Sequence, residues 1–132
     1  MSEEEKKENS NEYLREIINK YDFIESIYIT DFDGGEIAHE DKEPDSSEEN
    51  KNVQGILLAY NFNNSIDQTT KTEQWKMNNV TTVFDDHTFF QSKLGKKAFV
   101  HFICENENYN HEVMKEIVDD LRVKIEKIEG LI

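Results

Sequence analysis

Apolar residues recur with two different periods along this chain, and the switches between them mark out its elements. Tyr13, Leu14, Ile17, Ile18 and Tyr21 follow the 3.6-residue repeat, which predicts an amphipathic helix over 11–21 with Ser10 or Asn11 as its N-cap. From Ser26 to Asp31 the repeat shortens to two: Ile27 and Ile29 share one face, Tyr28 and Thr30 the other, as in a strand. Asp31-Phe32-Asp33-Gly34-Gly35 then supplies turn chemistry before a short strand Glu36–His39, because glycine takes the positive φ that a tight reversal demands. Residues 26–39 therefore read as a hairpin.

The segment from Lys51 to about Gln68 reads as a helix with two apolar stripes. At 100° per residue, Val53, Ile56, Leu57 and Tyr60 gather on one side, while Leu58, Ala59, Phe62 and Ile66 gather on the opposite side. A surface helix in a small domain needs one such stripe, and each large side chain left in water forgoes about 1.5–3 kcal/mol. One stripe is expected to meet the chain's own sheet and the other a second molecule, with the assignment of stripes open.

Three strand patterns follow, Val80–Asp85, Thr88–Ser92 and Ala98–Cys104, separated by the turns Asp85-Asp86-His87 and Leu94-Gly95-Lys96-Lys97. Phe99, Val100, Phe102 and Ile103 are apolar on both faces, as a central strand covered on two sides requires. Met114, Ile117, Val118, Leu121, Ile125 and Ile128 predict a closing helix over about 110–129. The order α-β-β-α-β-β-β-α calls for an α+β fold with a five-stranded antiparallel sheet and helices on both faces.

Composition narrows the function. A chain of 132 residues has room for one domain, assigned here to 11–132, behind a polar stretch 1–10 that has nothing to bury and is expected to be disordered. Fifteen Lys and Arg oppose 29 Asp and Glu, a net charge of −14 that repels phosphate backbones and anionic lipid, so neither nucleic acid nor a membrane is expected to bind directly. The excess is uneven: residues 1–12 carry −3, and 40–49, within an acidic loop expected to be mobile over 40–50, carry −5. One cysteine, Cys104, excludes an internal disulfide and suits a reducing compartment, and no apolar run approaches the roughly 20 residues of a bilayer span.

The stretch Ile24-Glu25-Ser26-Ile27-Tyr28-Ile29-Thr30-Asp31-Phe32-Asp33-Gly34, with its strand, Asp-x-Asp-Gly turn and strand, resembles the opening of the roadblock/LC7 family, whose fold is profilin-like, and Asp67-Gln68 closes the middle helix in the same style. Phe62, Val80-Thr81-Thr82, Gln91 and Val100 through Ile103 look most like the Ragulator scaffold branch of that family. The acidic tail, the long acidic loop and Trp75 depart from the pattern. The resemblance implies a non-enzymatic scaffold that pairs with a second roadblock-domain protein, as a heterodimer or, in isolation, a homodimer. It further implies Rag-type GTPases and MAP kinase components as wider partners, TOR signalling as a pathway, and a peripheral cytoplasmic place on late endosomes or lysosomes. The interface would comprise one stripe of the middle helix, Val53, Ile56, Leu57 and Tyr60 or else Leu58, Ala59, Phe62 and Ile66, together with Val80, Thr82 and Phe84 of the third strand. The rival readings are a regulator of small GTPases, by activation or exchange, and a dynein light chain acting as cargo adaptor.

No catalytic, cofactor or metal site is expected. Asp31, Asp33 and Glu36 fail calcium-loop spacing, with Gly34 where a further ligand belongs. His39, His87, His101 and His111 fall on different elements without zinc spacing. His101 and Cys104 point to opposite faces of one strand, which excludes a thiol–imidazole pair. Gly34-Gly35 sits in a hairpin rather than before a helix, so no phosphate loop forms. Phe84, Phe89 and Phe90 read as core or interface. Arg15 and Arg122, the two arginines, lie on striped helices and make poor arginine fingers.

Overall fold

A computed structural model describes residues 3–43, 58, 60–64, 79–95 and 98–126. The elements run α1 (Glu3–Lys20), β1 (Ile24–Asp31), β2 (Glu36–Asp41), a helical segment α2 (58 and 60–64), β3 (Asn79–Val83), β4 (His87–Leu94), β5 (Ala98–Glu105) and α3 (His111–Glu126). The strands form one antiparallel sheet in the order β2-β1-β5-β4-β3. Every element of the expected order is present, and β5 is central, with Ala98 through Cys104 all buried.

Side-chain alternation divides the sheet into two faces. Ile27, Ile29, Ala38, Phe90, Val100, Phe102 and Cys104 point to one side, where Leu14, Ile17 and Ile18 of α1 and Met114, Ile117, Val118 and Leu121 of α3 close the main core. Tyr28, Phe89, Phe99 and Ile103 point to the other, against Leu58 and Phe62 of α2. A register shift between Ile24 and Ser26 lets Ile24 join Ile27 on the main-core side. Asn110 caps α3 by accepting from the backbone N–H groups of Glu112 (3.1 Å) and Val113 (3.3 Å).

Several boundaries differ from expectation. Helix α1 begins at Glu3, so the helix takes in most of the stretch 1–10 expected to be disordered, and Ser10 and Asn11 lie inside it rather than at its cap. Glu and Lys are good helix formers, and acids in a first turn complement the helix dipole, so a packed downstream nucleus extends upstream. Strand β2 runs on to Asp41, removing Glu40 and Asp41 from the acidic loop. Strand β4 runs from His87 to Leu94, beyond the predicted Thr88–Ser92 at both ends, and Gln91 lies within it. The predicted positions 44–50, 51–57, Ala59, Ile66, Asp67-Gln68 and Trp75 lie outside the described residues. No helix among the described residues is long and apolar enough to cross a membrane.

The β1–β2 turn needs both glycines for different reasons. Gly34 has φ 95°, the left-handed region. A Cβ on Gly35 would meet Asp31 Oδ2 at 2.6 Å. Asp31 Oδ1 accepts from the N–H groups of Asp33 (2.9 Å) and Gly35 (2.8 Å), so this carboxylate serves the turn.

Candidate partner interface

Residues four apart on a helix share a face, and a residue midway between them points away. Leu58 and Phe62 are accordingly buried, at 4% and 0% exposure, while Tyr60 is 65% exposed. Leu58 packs with Tyr28, Ile103 and Phe89, and Phe62 sets its ring edge-on to Phe99 at 4.5 Å. The two candidate stripes are thereby told apart. Leu58 and Phe62, offered as interface residues in one alternative, are spent on the chain's own sheet and are corrected to core. Tyr60 lies on the outward side, the side to which helical spacing also assigns Val53, Ile56 and Leu57.

Polar bonds also pin α2 to the sheet. Gln91 donates both amide hydrogens, one to the carbonyl of Leu58 (2.8 Å) and one to His101 Nδ1 (3.0 Å). Its oxygen accepts from Asn61 (2.9 Å), and His101 Nε2 lies 2.8 Å from Thr30 Oγ1. Since Nδ1 accepts, the ring's hydrogen sits on Nε2 and is donated to Thr30. Burial pushes the His101 pKa down to about 3, so the imidazole is neutral. Asn63 adds a bond to the carbonyl of Phe32 at 2.7 Å. The sequence marked Gln91 only by resemblance, and its role is not legible from periodicity because its partners come from two other elements, α2 and β5.

Strand β3 is the sheet's last strand, and among the described residues nothing pairs with its outer edge. Of the predicted edge residues, Val80 packs beside Phe62 and Phe99, Thr82 is half-buried, and Phe84 is 47% exposed with its ring 4.7 Å from Phe89. Val83, which the sequence reading passed over, is the most exposed large apolar side chain described, at 71%. It sits on the main-core face, and attention to one face of β3 alone hid it.

The family model described as "Mitogen-activated protein kinase kinase 1 interacting" matches residues 8–132. The chain belongs to this family. A structure titled "MglB with tetrameric arrangement" superposes on this family member with a TM-score of 0.80 at 14% identity, covering 96% of this chain and 93% of that one. The gliding protein MglB of Thermus thermophilus gives 0.74 at 11% identity over 91% and 90%. A roadblock/LC7 domain from Streptomyces avermitilis gives 0.74 at 10% identity over 86% and 91%. At such identities these structures establish the roadblock/LC7 fold alone. No curated protein matches the sequence.

The described histidines, cysteine and arginines of this MAPKK1-interacting family member are buried or paired within the chain. His39 stacks on Tyr28 at 4.5 Å and lies 2.8 Å from Asp41. His87 lies between Glu25 (2.8 Å) and Asp86 (2.9 Å), and its pKa is raised, mainly by the bond to Asp86. Cys104 is buried opposite His101, and burial pushes its thiol up to about 12. No group of three His, Cys, Asp or Glu among the described residues is arranged to hold a metal. Arg15 pairs with Glu40 at 3.2 Å, and Arg122 donates to the carbonyl of Lys93 at 3.0 Å.

Proposed function

We propose that this chain is a non-catalytic scaffold subunit, one half of a roadblock heterodimer within a Ragulator-like complex on the cytosolic face of late endosomes or lysosomes. There it would support Rag GTPase/TOR and MAP kinase signalling, with a lipidated partner subunit holding the assembly on the membrane. One observation carries the reading: α2 turns Leu58 and Phe62 into its own sheet while holding Tyr60 out, over a sheet whose β3 edge is unpaired among the described residues and bears Val83. A second roadblock chain would extend the sheet by backbone hydrogen bonds along β3 and lay its own helix against Tyr60 and its stripe. The family's description, which names a kinase kinase, supports the MAP kinase part of the proposal.

Affinity purification of the tagged full chain from its source, followed by sedimentation of the recovered complex, tests this. Recovery of a second roadblock-domain chain in a one-to-one complex is the expected result. A monomer at micromolar concentration that retains no roadblock partner overturns it. The rival reading, regulation of small GTPases, lacks support from the arginines, since Arg15 and Arg122 are tied to their own chain. A GTP hydrolysis assay separates the two.

A further inference from the structure

A cleft of about 560 Å³ opens on the α2 side of the sheet, between the start of β1 and the β3–β4 turn. Phe84, Phe89 and Ile103 line its apolar part. Among the described lining residues, Glu25, Asp41, Glu43, Asp86 and Glu105 supply five carboxylates against the ammonium of Lys42 and the imidazole of His87. We propose that this cleft receives an arginine-bearing basic segment of a partner protein.

Three observations support that occupant. The first is the division of labour among the carboxylates. Glu25 and Asp86 share His87, and Asp41 accepts from Ser26 (2.7 Å) while lying 2.8 Å from His39. The carboxylates of Glu43 and Glu105 have no hydrogen-bond or ion-pair partner among the described residues and are exposed, so two are available to an incoming cation.

The second is the aromatic wall. Phe84 keeps nearly half its surface in water and lines the same cleft as those acids. An apolar face next to carboxylates is the combination a guanidinium satisfies, stacking on a ring while its edge donates in a fork. A neutral apolar ligand would strip water from the acids without compensation, an anion would be repelled, and no metal-holding trio is present among the described residues.

The third is preorganisation. Phe84 donates its N–H to the carbonyl of His87 (2.7 Å), and Asn106 donates its side-chain amide to the carbonyl of Phe84 (2.8 Å) while its backbone N–H reaches the carbonyl of Asp86 (3.2 Å). The wall is thus held in place before any ligand arrives, which lowers the ordering cost of binding.

The test is fluorescence anisotropy on the full chain with a labelled peptide alternating arginine and leucine, beside matched peptides carrying citrulline or lysine at the arginine positions. The arginine peptide is expected to bind, and both substitutes to bind about tenfold more weakly. The double variant Glu43→Gln/Glu105→Gln should weaken the arginine peptide about tenfold, while Glu112→Gln/Glu116→Gln, an equal change of charge on α3, leaves it within about twofold. Equal losses in the two double variants would reduce the effect to the chain's overall field and overturn the proposal. So would equal affinity for lysine, or no binding at millimolar peptide. Occupation by a second copy would appear as failed peptide binding with sedimentation altered by Glu43→Gln/Glu105→Gln, and it too overturns the proposal. Peptide binding is read whether or not the chain pairs with a roadblock partner, so failure here is distinct from failure of the scaffold reading.

Discussion

Gln91 and His101 face each other on neighbouring strands and meet at 3.0 Å, Nε2 to Nδ1, beneath the helix that carries Tyr60. Through this pair the outward helix and the buried sheet are one hydrogen-bonded unit. Replacing Gln91 by Leu leaves the Leu58 carbonyl, the Asn61 amide and His101 Nδ1 without their partner. It should cost about 2–4 kcal/mol, given about 1–3 kcal/mol for each buried group left unpaired and partial rescue by water. Urea denaturation measures the cost, and hydrogen exchange should rise at 58–64 before the β5 amides respond.

The same imidazole makes stability fall in acid. His101 is neutral in the folded chain down to about pH 3, whereas unfolded it takes a proton near its ordinary 6.5. Between those values the unfolded state binds more protons, so stability drops as pH falls through that window. His101→Gln should flatten the slope. His87 acts in the opposite sense: its pKa is raised, so the stability from its pairing with Asp86 and Glu25 is full below 6.5 and fades as pH rises through the folded value. Denaturation midpoints against pH for wild type, His101→Gln and His87→Gln separate the two.

Phe62 and Tyr60 lie two residues apart and should respond oppositely to change. Phe62→Ala empties a fully buried site against Phe99 and should cost about 3–5 kcal/mol. Tyr60→Asp should shift stability by no more than about 0.5 kcal/mol and instead weaken association with a roadblock partner. Thermal melts and sedimentation on the two variants check the assignment, and a Tyr60→Asp chain that pairs normally would argue against the outward stripe.

Val83→Lys places a charge on the open edge strand, a common guard against edge pairing. Folding should be unaffected, because the side chain is 71% exposed. Association through β3 should weaken, visible as a shift of the sedimentation boundary toward monomer.

Gly35→Ala should destabilise the β1–β2 turn by about 1–2 kcal/mol, since the added methyl meets Asp31 Oδ2 and displaces the carboxylate that holds two backbone N–H groups. The denaturation midpoint reads the effect.

Periodicity along the chain was enough for the architecture: Leu14, Ile17 and Ile18 announce a helix, Ile27 and Ile29 a strand, and the two-sided burial of Ala98–Cys104 a central one, because each pattern is local and its period follows from backbone geometry. It also showed that the middle helix has two greasy sides. Which side faces home was decided only in three dimensions, where Leu58 and Phe62 find Tyr28, Ile103 and Phe99 from distant parts of the chain and leave Tyr60 in water. The bonds from Gln91 to His101 and Leu58, the exposure of Val83 and the acid-lined cleft beside Phe84 arise in the same way. Each depends on strands brought together by sheet order, and long-range neighbours leave no mark in a sequence window.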